Sequence, residues 1–195
     1  RRGQKFIKPD DLGRPEVNYG NLIETFCPIR PHVVWVGDFT HIKFQGGFVY
    51  LATVMDIFSR EIVGWYLSTN HQQDLVIEAF LDATNRAKTT PVYFHSDQGS
   101  EYDSQAHLQL LAREGVIISM SRKASPWENG YQESWYSGFK LDLGPTHNYH
   151  NLGELFEAIA HTIHYYNTKR IHTILKTSPK QFRLDREYLF NEMGT

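Results

Sequence analysis

The apolar residues of this chain first change their period near residue 70, and that change constrains the fold more than any other feature. Before it lie three short segments dominated by β-branched and aromatic residues: "VVWVGDFTHIKF" (33–44), "FVYLATVMDIFS" (48–59) and "EIVGWYLS" (61–68). The first two are joined through "GG" at 46–47, a turn signal, and the close spacing predicts an antiparallel meander. After it the period becomes helical. Leu75, Val76, Ala79, Phe80 and Ala83 share one face of a helix over 74–87. A short strand over 91–97 follows, then a helix over 104–115 with Ser104 as N-cap and Gly115 as its stop, then a strand over 116–121. Leu152, Leu155, Phe156, Ile159, Ile163 and Tyr166 again keep helical spacing, and Ser178 with Pro179 suits the start of a last helix.

Three strands, helix, strand, helix, strand, then helices predict an α/β chain. The expected sheet is mixed and five-stranded, three antiparallel strands followed by two parallel ones, with helices on its faces. This is the element order of the ribonuclease H-like fold. Residues 1–30, with Pro, Gly and mixed charge, read as an arm or linker, 31–145 as the core, and 146–195 as a helical extension completing it.

Composition narrows the class. Hydrophobic residues at 41% support a real core and exclude wholesale disorder. One cysteine, Cys27, excludes an internal disulfide or a multi-cysteine zinc site and fits a reducing compartment. No run of about 18 apolar residues predicts a membrane span. The amino terminus has neither an apolar signal core nor a Met, so the chain reads as a piece or processed form of something longer. A net charge of -2 does not advertise a polyanionic partner, so evidence for one must be local.

Asp38 sits inside an apolar strand, beside Trp35, Val36 and Phe39. Two readings stand: a locally hydrogen-bonded edge or bulge residue, or a buried carboxylate that needs a metal or partner. Asp97 ends the fourth strand in "HSDQGSEY". Carboxyl ends of strands are where α/β sheets build ligand sites, although an Asp before Gly99 is also an ordinary turn residue. In "PWENGYQESWYSGFK" (126–140), Trp127, Tyr131, Trp135 and Phe139 fall at steps of four and predict one aromatic ridge. Glu133, Ser137 and Lys140 fall on another face. Glu128, about 140° from Glu133 around a helix, suits a dipole-complementing place at its start.

With these residues in place, the chain resembles the catalytic core of the transposase and retroviral-integrase superfamily, above all bacterial insertion-sequence transposases with an Asp-Asp-Glu triad. The matching stretches are "WVGDFTHI", "YLATVMDIFSREIVGW", "HSDQGSEY", "SMSRKASPWENGYQES" and "YYNTKRIHTILKTSPKQF", over about residues 31–185. Between Asp97 and Glu133 lie 35 residues, the spacing typical of the superfamily. Two departures are visible: Glu128, Asn129 and Gly130 stand where many relatives have Asp-Asn-Ala, and Gly37 where many have Thr.

The resemblance implies metal-dependent cleavage of a DNA phosphodiester at transposon ends, then attack of the freed 3′-hydroxyl on target DNA. Asp38, Asp97 and Glu133 become both catalytic residues and metal ligands, holding two Mg²⁺ (or Mn²⁺) per site, with Asp38 shared. It also implies DNA as partner, action as a homo-oligomer on DNA, a bacterial cytoplasmic, nucleoid-associated setting, and an amino-terminal helix-turn-helix region that this stretch lacks. The two-cysteine zinc module of retroviral integrases is not encoded here. Lys140 matches the basic residue that the family places seven after its Glu. Residues 169–186 hold Lys169, Arg170, Lys176, Lys180, Arg183 and Arg186 against Asp185. With Arg122 and Lys123 they form the expected phosphate footprint, or else a solvated face. Tyr131 or Trp127 could stack on a splayed base or serve packing. Asn167, Arg170 and His172 match a carboxy-terminal signature, expected to serve the helix end or DNA positioning. His95, His161 and His164 are expected in structural or surface roles. A nuclease of the same fold without strand transfer, or a domesticated DNA-binding protein, are the alternative readings.

Overall fold

A computed structural model of the chain describes residues 19–24, 26–121 and 130–193. Strands β1 (Val34–Phe44), β2 (Gly47–Asp56) and β3 (Ile62–Ser68) form the meander. Helix α1 (Gln73–Ala87), β4 (Tyr93–Ser96), α2 (Gln105–Arg113) and β5 (Ile117–Met120) follow. Helices α3 (Gly130–Leu143), α4 (Leu152–Thr168) and α5 (Pro179–Met193) close the chain. The sheet order is β3-β2-β1-β4-β5. The β1–β2 and β2–β3 pairs are antiparallel, and the β1–β4 and β4–β5 pairs are parallel. Ser104 caps α2 by accepting from the His107 amide, as its position predicts.

Strand alternation sorts the core into two layers. Trp35, Ala52, Val54, Val63 and Phe94 pack under α1 and α2. Ile42, Phe44, Val49, Leu51 and Met55 pack under α3 and α4. A register shift in the β2–β3 pair at Val54/Met55 lets Ile62 and Trp65, three apart, share the second layer. Helix α5 joins through Phe182 against Phe58 and through an ion pair of Arg183 with Glu61 at 2.6 Å.

The aromatic ridge expected on α3 is shifted. Its buried stripe is Gln132, Trp135, Tyr136, Phe139 and Leu143, whereas Tyr131 is 48% exposed. The helix meets the sheet and α4 at once, which draws in a wider arc than a single row at steps of four. Trp127 and Glu128, like Arg122 and Lys123, lie outside the described residues.

Side chains and a short segment cover both sheet edges. On β3 the Asn167 side chain accepts from the Ile62 amide and donates to the Ile62 carbonyl, each at 2.9 Å, and Asp82 accepts from the Trp65 amide. Along β5 the Met120 amide donates to the Gly20 carbonyl, and the Leu22 amide to the Ser119 hydroxyl.

Gly64 fixes the approach of α1 to the sheet. A Cβ there would lie 2.4 Å from the Ala83 backbone nitrogen. Gly64→Ala forces the helix off the sheet and is expected to cost about 1–3 kcal/mol; a drop in the denaturant midpoint at unchanged slope is the measurement.

Candidate active site

Strands β1 and β4 pair in parallel only over Val34–Val36 and Tyr93–His95. Continuing the register two residues sets Asp38 beside Asp97, where the strands part. Asp38 lies in the middle of the central strand, paired with Thr53 of β2, and not at a sheet edge or at the β2–β3 bulge. Gly37 before it has a steric cause. A Cβ there would come within 2.5 Å of the Phe94 ring and 3.1 Å of Tyr102, so this core has no room for a larger residue.

The three acidic residues differ in setting. Asp38 is half-buried at the floor of the split, whereas Asp97 and Glu133 are exposed on its rim. The Phe39 amide donates to Asp38 Oδ1 at 2.8 Å, and the Gly99 amide to Asp97 Oδ1 at 2.9 Å. Burial pushes the Asp38 carboxyl up to about 7, and the charges of Asp97 and Glu133 add to the rise against the opposing Phe39 amide. Asp97 and Glu133 are thus near enough to act on Asp38 electrostatically. None of the three has an ion pair among the described residues. No group of three His, Cys, Asp or Glu side chains among the described residues closes around a single point.

Glu133 is set by its buried neighbours, which sequence reasoning missed. Gln132 Nε2 donates to the Val36 carbonyl at 2.8 Å. Tyr136 donates to the Asp38 carbonyl at 2.7 Å, and its hydroxyl lies 2.8 Å from Thr53 Oγ1. Thr53 also reaches Gln132 Oε1 at 3.1 Å. The first turns of α3 are therefore fastened to β1 on both sides of Gly37. The signal was present: Gln132, Tyr136, Phe139 and Leu143 keep steps of four, three and four. A second missed feature is the Glu101–His71 pair at 2.8 Å, with the His71 ring against Phe39 and Tyr50.

The expected DNA-binding residues scatter. Lys140, Lys169 and Lys176 are exposed. Arg170 is paired with Asp142, and Arg183 with Glu61 and Glu187, so part of the basic run is neutralised within the fold. Asn167 ties α4 to β3, and the His172 amide donates to the Thr177 carbonyl. His95 is buried with Nδ1 2.9 Å from the Ser119 hydroxyl. His161 and His164 are exposed on α4.

Comparison with known proteins places this geometry. Two family models, both described as "Integrase core domain", match residues 28–126 and 114–179. A transposase for insertion sequence element IS904 of Lactococcus lactis is 40% identical over 179 residues, covering 90% of this chain and 69% of the relative. A transposase for element IS629 of Shigella sonnei is 30% identical, covering 82% of this chain and 54% of the relative. The chain therefore spans about half to two-thirds of such proteins. The fold is that of the HTLV-2 integrase catalytic core domain, solved in complex with magnesium, with a TM-score of 0.65 at 20% identity over 80% of this chain and 98% of that one. A chain of the simian T-cell lymphotropic virus intasome, solved in complex with PP2A regulatory subunit B56 gamma, gives 0.69 at 19% identity, over 80% of this chain and 55% of that one. Its matched models and its transposase relatives agree on one assignment: the chain is a transposase-type core and belongs to the integrase core domain family.

Proposed function

We propose that Asp38, Asp97 and Glu133 form a divalent-metal site at which DNA phosphodiesters are cut and joined. The observation that carries this is the half-buried Asp38, with the charges of Asp97 and Glu133 acting on it and no ion pair among the described residues. The donor set is entirely carboxylate oxygen, which suits Mg²⁺ or Mn²⁺ rather than softer ions. Asp38 would be the ligand shared by two ions, and Asp97 and Glu133 would each complete one. When bound, such a pair supplies charge stabilisation for an in-line displacement at phosphorus. The protein's part is to hold the oxygens still. The Phe39 and Gly99 amides orient Asp38 and Asp97, and the Gln132–Tyr136 contacts orient Glu133.

Two reactions fit one such site. In the first, a water oxygen bonds to phosphorus at a transposon end and the 3′ oxygen leaves with a proton. In the second, that 3′-hydroxyl attacks a target phosphodiester, forming one P–O bond and releasing another 3′-hydroxyl. DNA is the substrate, and copies of the chain meet on it. Lys140, exposed and seven residues after Glu133 on α3, would contact phosphate. Residues 31–145 act as the catalytic core, and the helices after them complete its second layer.

Three outcomes are expected. Glu133→Gln lowers both nicking and strand joining of a transposon-end duplex in Mn²⁺ by at least about 100-fold, whereas Glu128→Gln retains both. Equal activity of the two variants overturns the assignment, and nicking without joining in the unaltered protein leaves a simple nuclease. Tyr136→Phe removes the donor to the Asp38 carbonyl and lowers activity about 10- to 100-fold while unfolding stays cooperative. The third concerns pH. Between the ordinary carboxylate value of 3.8 and about 7 the folded chain keeps a proton on Asp38 that the unfolded chain has released. Asp38 therefore contributes a loss of stability without metal as pH rises through that window, and Asp38→Asn removes that contribution from the pH profile. Mg²⁺ titration in a calorimeter releases a proton at pH 6 and none at pH 8.

A further inference from the structure

Pairing of β1 with β4 ends at Val36 and His95, before either segment reaches its acidic residue. Asp38 stays fixed beyond that point, because β1 goes on pairing with β2 as far as Phe44. Asp97 lies past the last pair of β4 with β5, Ser96 with Met120. Its loop, residues 97–103, closes on itself: the Gly99 amide donates to the Asp97 carboxylate, and the Asp103 amide to the Gly99 carbonyl at 2.9 Å. Tyr102, buried against Phe39 and Phe94, anchors its far end. Between these points a tie comes from His71, on the segment between β3 and α1. Its Nδ1 is 2.8 Å from Glu101 Oε1. Its ring packs 4.9 Å from that of Tyr50 on β2 and stacks at 6.5 Å on Phe39 of β1. One imidazole thus meets the loop of Asp97 on one side and, on the other, the residue whose amide holds Asp38.

Glu101 passes this contact on to Asp97. It is 8% exposed, and both of its oxygens are engaged, Oε1 by His71 and Oε2 by the Ser100 hydroxyl at 2.9 Å. Burial alone would raise the Glu101 carboxyl, but the hydrogen bonds from His71, from its own amide and from Ser100 hold it below the ordinary value. It is therefore a carboxylate, and His71 Nδ1 is the donor. Gly99 lies between the two acidic groups. A Cβ there would sit 2.9 Å from Asp97 Oδ1 and 3.5 Å from Glu101 Oε2, so both oxygens close on one point. A shift of Glu101 is felt at once beside Asp97. Without His71 an enclosed carboxylate loses a donor next to a second carboxylate, and lost hydrogen bonding and like charge both favour a looser loop.

We propose that His71 is a positioning residue: through Glu101 it holds the loop of Asp97 in place beside Asp38. The inference rests on the reading of Asp38, Asp97 and Glu133 as a metal site, and names the residue outside it that keeps two of the ligands at one separation. Mg²⁺ tolerates little error in ligand position, so the hold is read in its affinity. The whole chain is compared with His71→Ala, His71→Asn, Glu101→Gln and the His71→Ala/Glu101→Gln double variant. His41→Ala is the control, an exposed imidazole of β1 that meets Phe48. Amide order parameters over residues 97–101 are measured in chelator, Mg²⁺ affinity by calorimetry without DNA, and stability by denaturant midpoint. His71→Ala is expected to lower the Gly99 order parameter from about 0.85 toward about 0.6 and to weaken Mg²⁺ about tenfold, with little change in midpoint. Asn puts an amide donor where Nδ1 stood, and is expected to restore most of both. His41→Ala changes neither. The double variant is expected to be no worse than Glu101→Gln, the mark of action through Glu101. A Gly99 amide as ordered in His71→Ala as in the unaltered chain overturns the proposal, and so does an unchanged Mg²⁺ affinity with a looser loop. Loss of order spread over β1 and α1, with a lower midpoint, overturns it in favour of packing alone. If the unaltered chain takes up no Mg²⁺, the metal reading itself fails, and the order parameters in chelator still decide whether His71 fixes the loop.

Discussion

Everything at the carboxylate site depends on how α3 is held to the central strand. A helix laid on a sheet through apolar contacts alone can slide, because dispersion is non-directional. Here the sliding is blocked by directional bonds. Gln132 and Tyr136 reach main-chain carbonyls of β1 on either side of Gly37, and Thr53 of the neighbouring strand bridges the two. These groups are buried, so leaving any one unpaired would carry the full desolvation penalty. One register of helix on strand is therefore strongly preferred, and Glu133, on the adjoining face, inherits it.

The same strand explains why the acidic residues converge without any sequence neighbour in common. β1 and β4 pair in parallel and then separate, so that two chain segments far apart in sequence end side by side. Asp38 and Asp97 are brought together by topology, Glu133 by the helix contact. The consequence is electrostatic: three acidic groups share a small space, and the most enclosed of them holds its proton up to about 7. Burial and like charge both disfavour the ionised form of Asp38. Beneath it the rings of Phe94, Tyr102 and His107 pack on one another, and Phe94 and Tyr102 crowd Gly37 of β1.

Much of this was legible in the sequence because periodicity and turn chemistry are local. The strands, the helices and the Ser104 cap follow from residues that are neighbours in the chain. Asp38, Asp97 and Glu133 were singled out as candidates through the resemblance and its spacing, and the structure sets Asp97 and Glu133 near enough to Asp38 to act on it. The tether was missed although Gln132, Tyr136, Phe139 and Leu143 keep helical spacing, because Gln132 reads as a solvent-facing residue until the sheet carbonyl it meets is known. Also missed was the pairing of Arg170 with Asp142 and of Arg183 with Glu61, which turns part of an apparent basic patch into internal ion pairs.

One feature of the sheet edges bears on how such a chain behaves in company. On β3 the amide of Asn167 engages both main-chain groups of Ile62, in the manner of a neighbouring strand, and Asp82 takes the amide of Trp65. On β5 residues 20–22 lie along the outer side. Open strand edges invite a second chain to add on, and crowding multiplies the invitation. With those donors and acceptors already engaged, continuous sheets running from copy to copy are disfavoured, and helical faces and loops are left as the surfaces through which molecules can meet and part again.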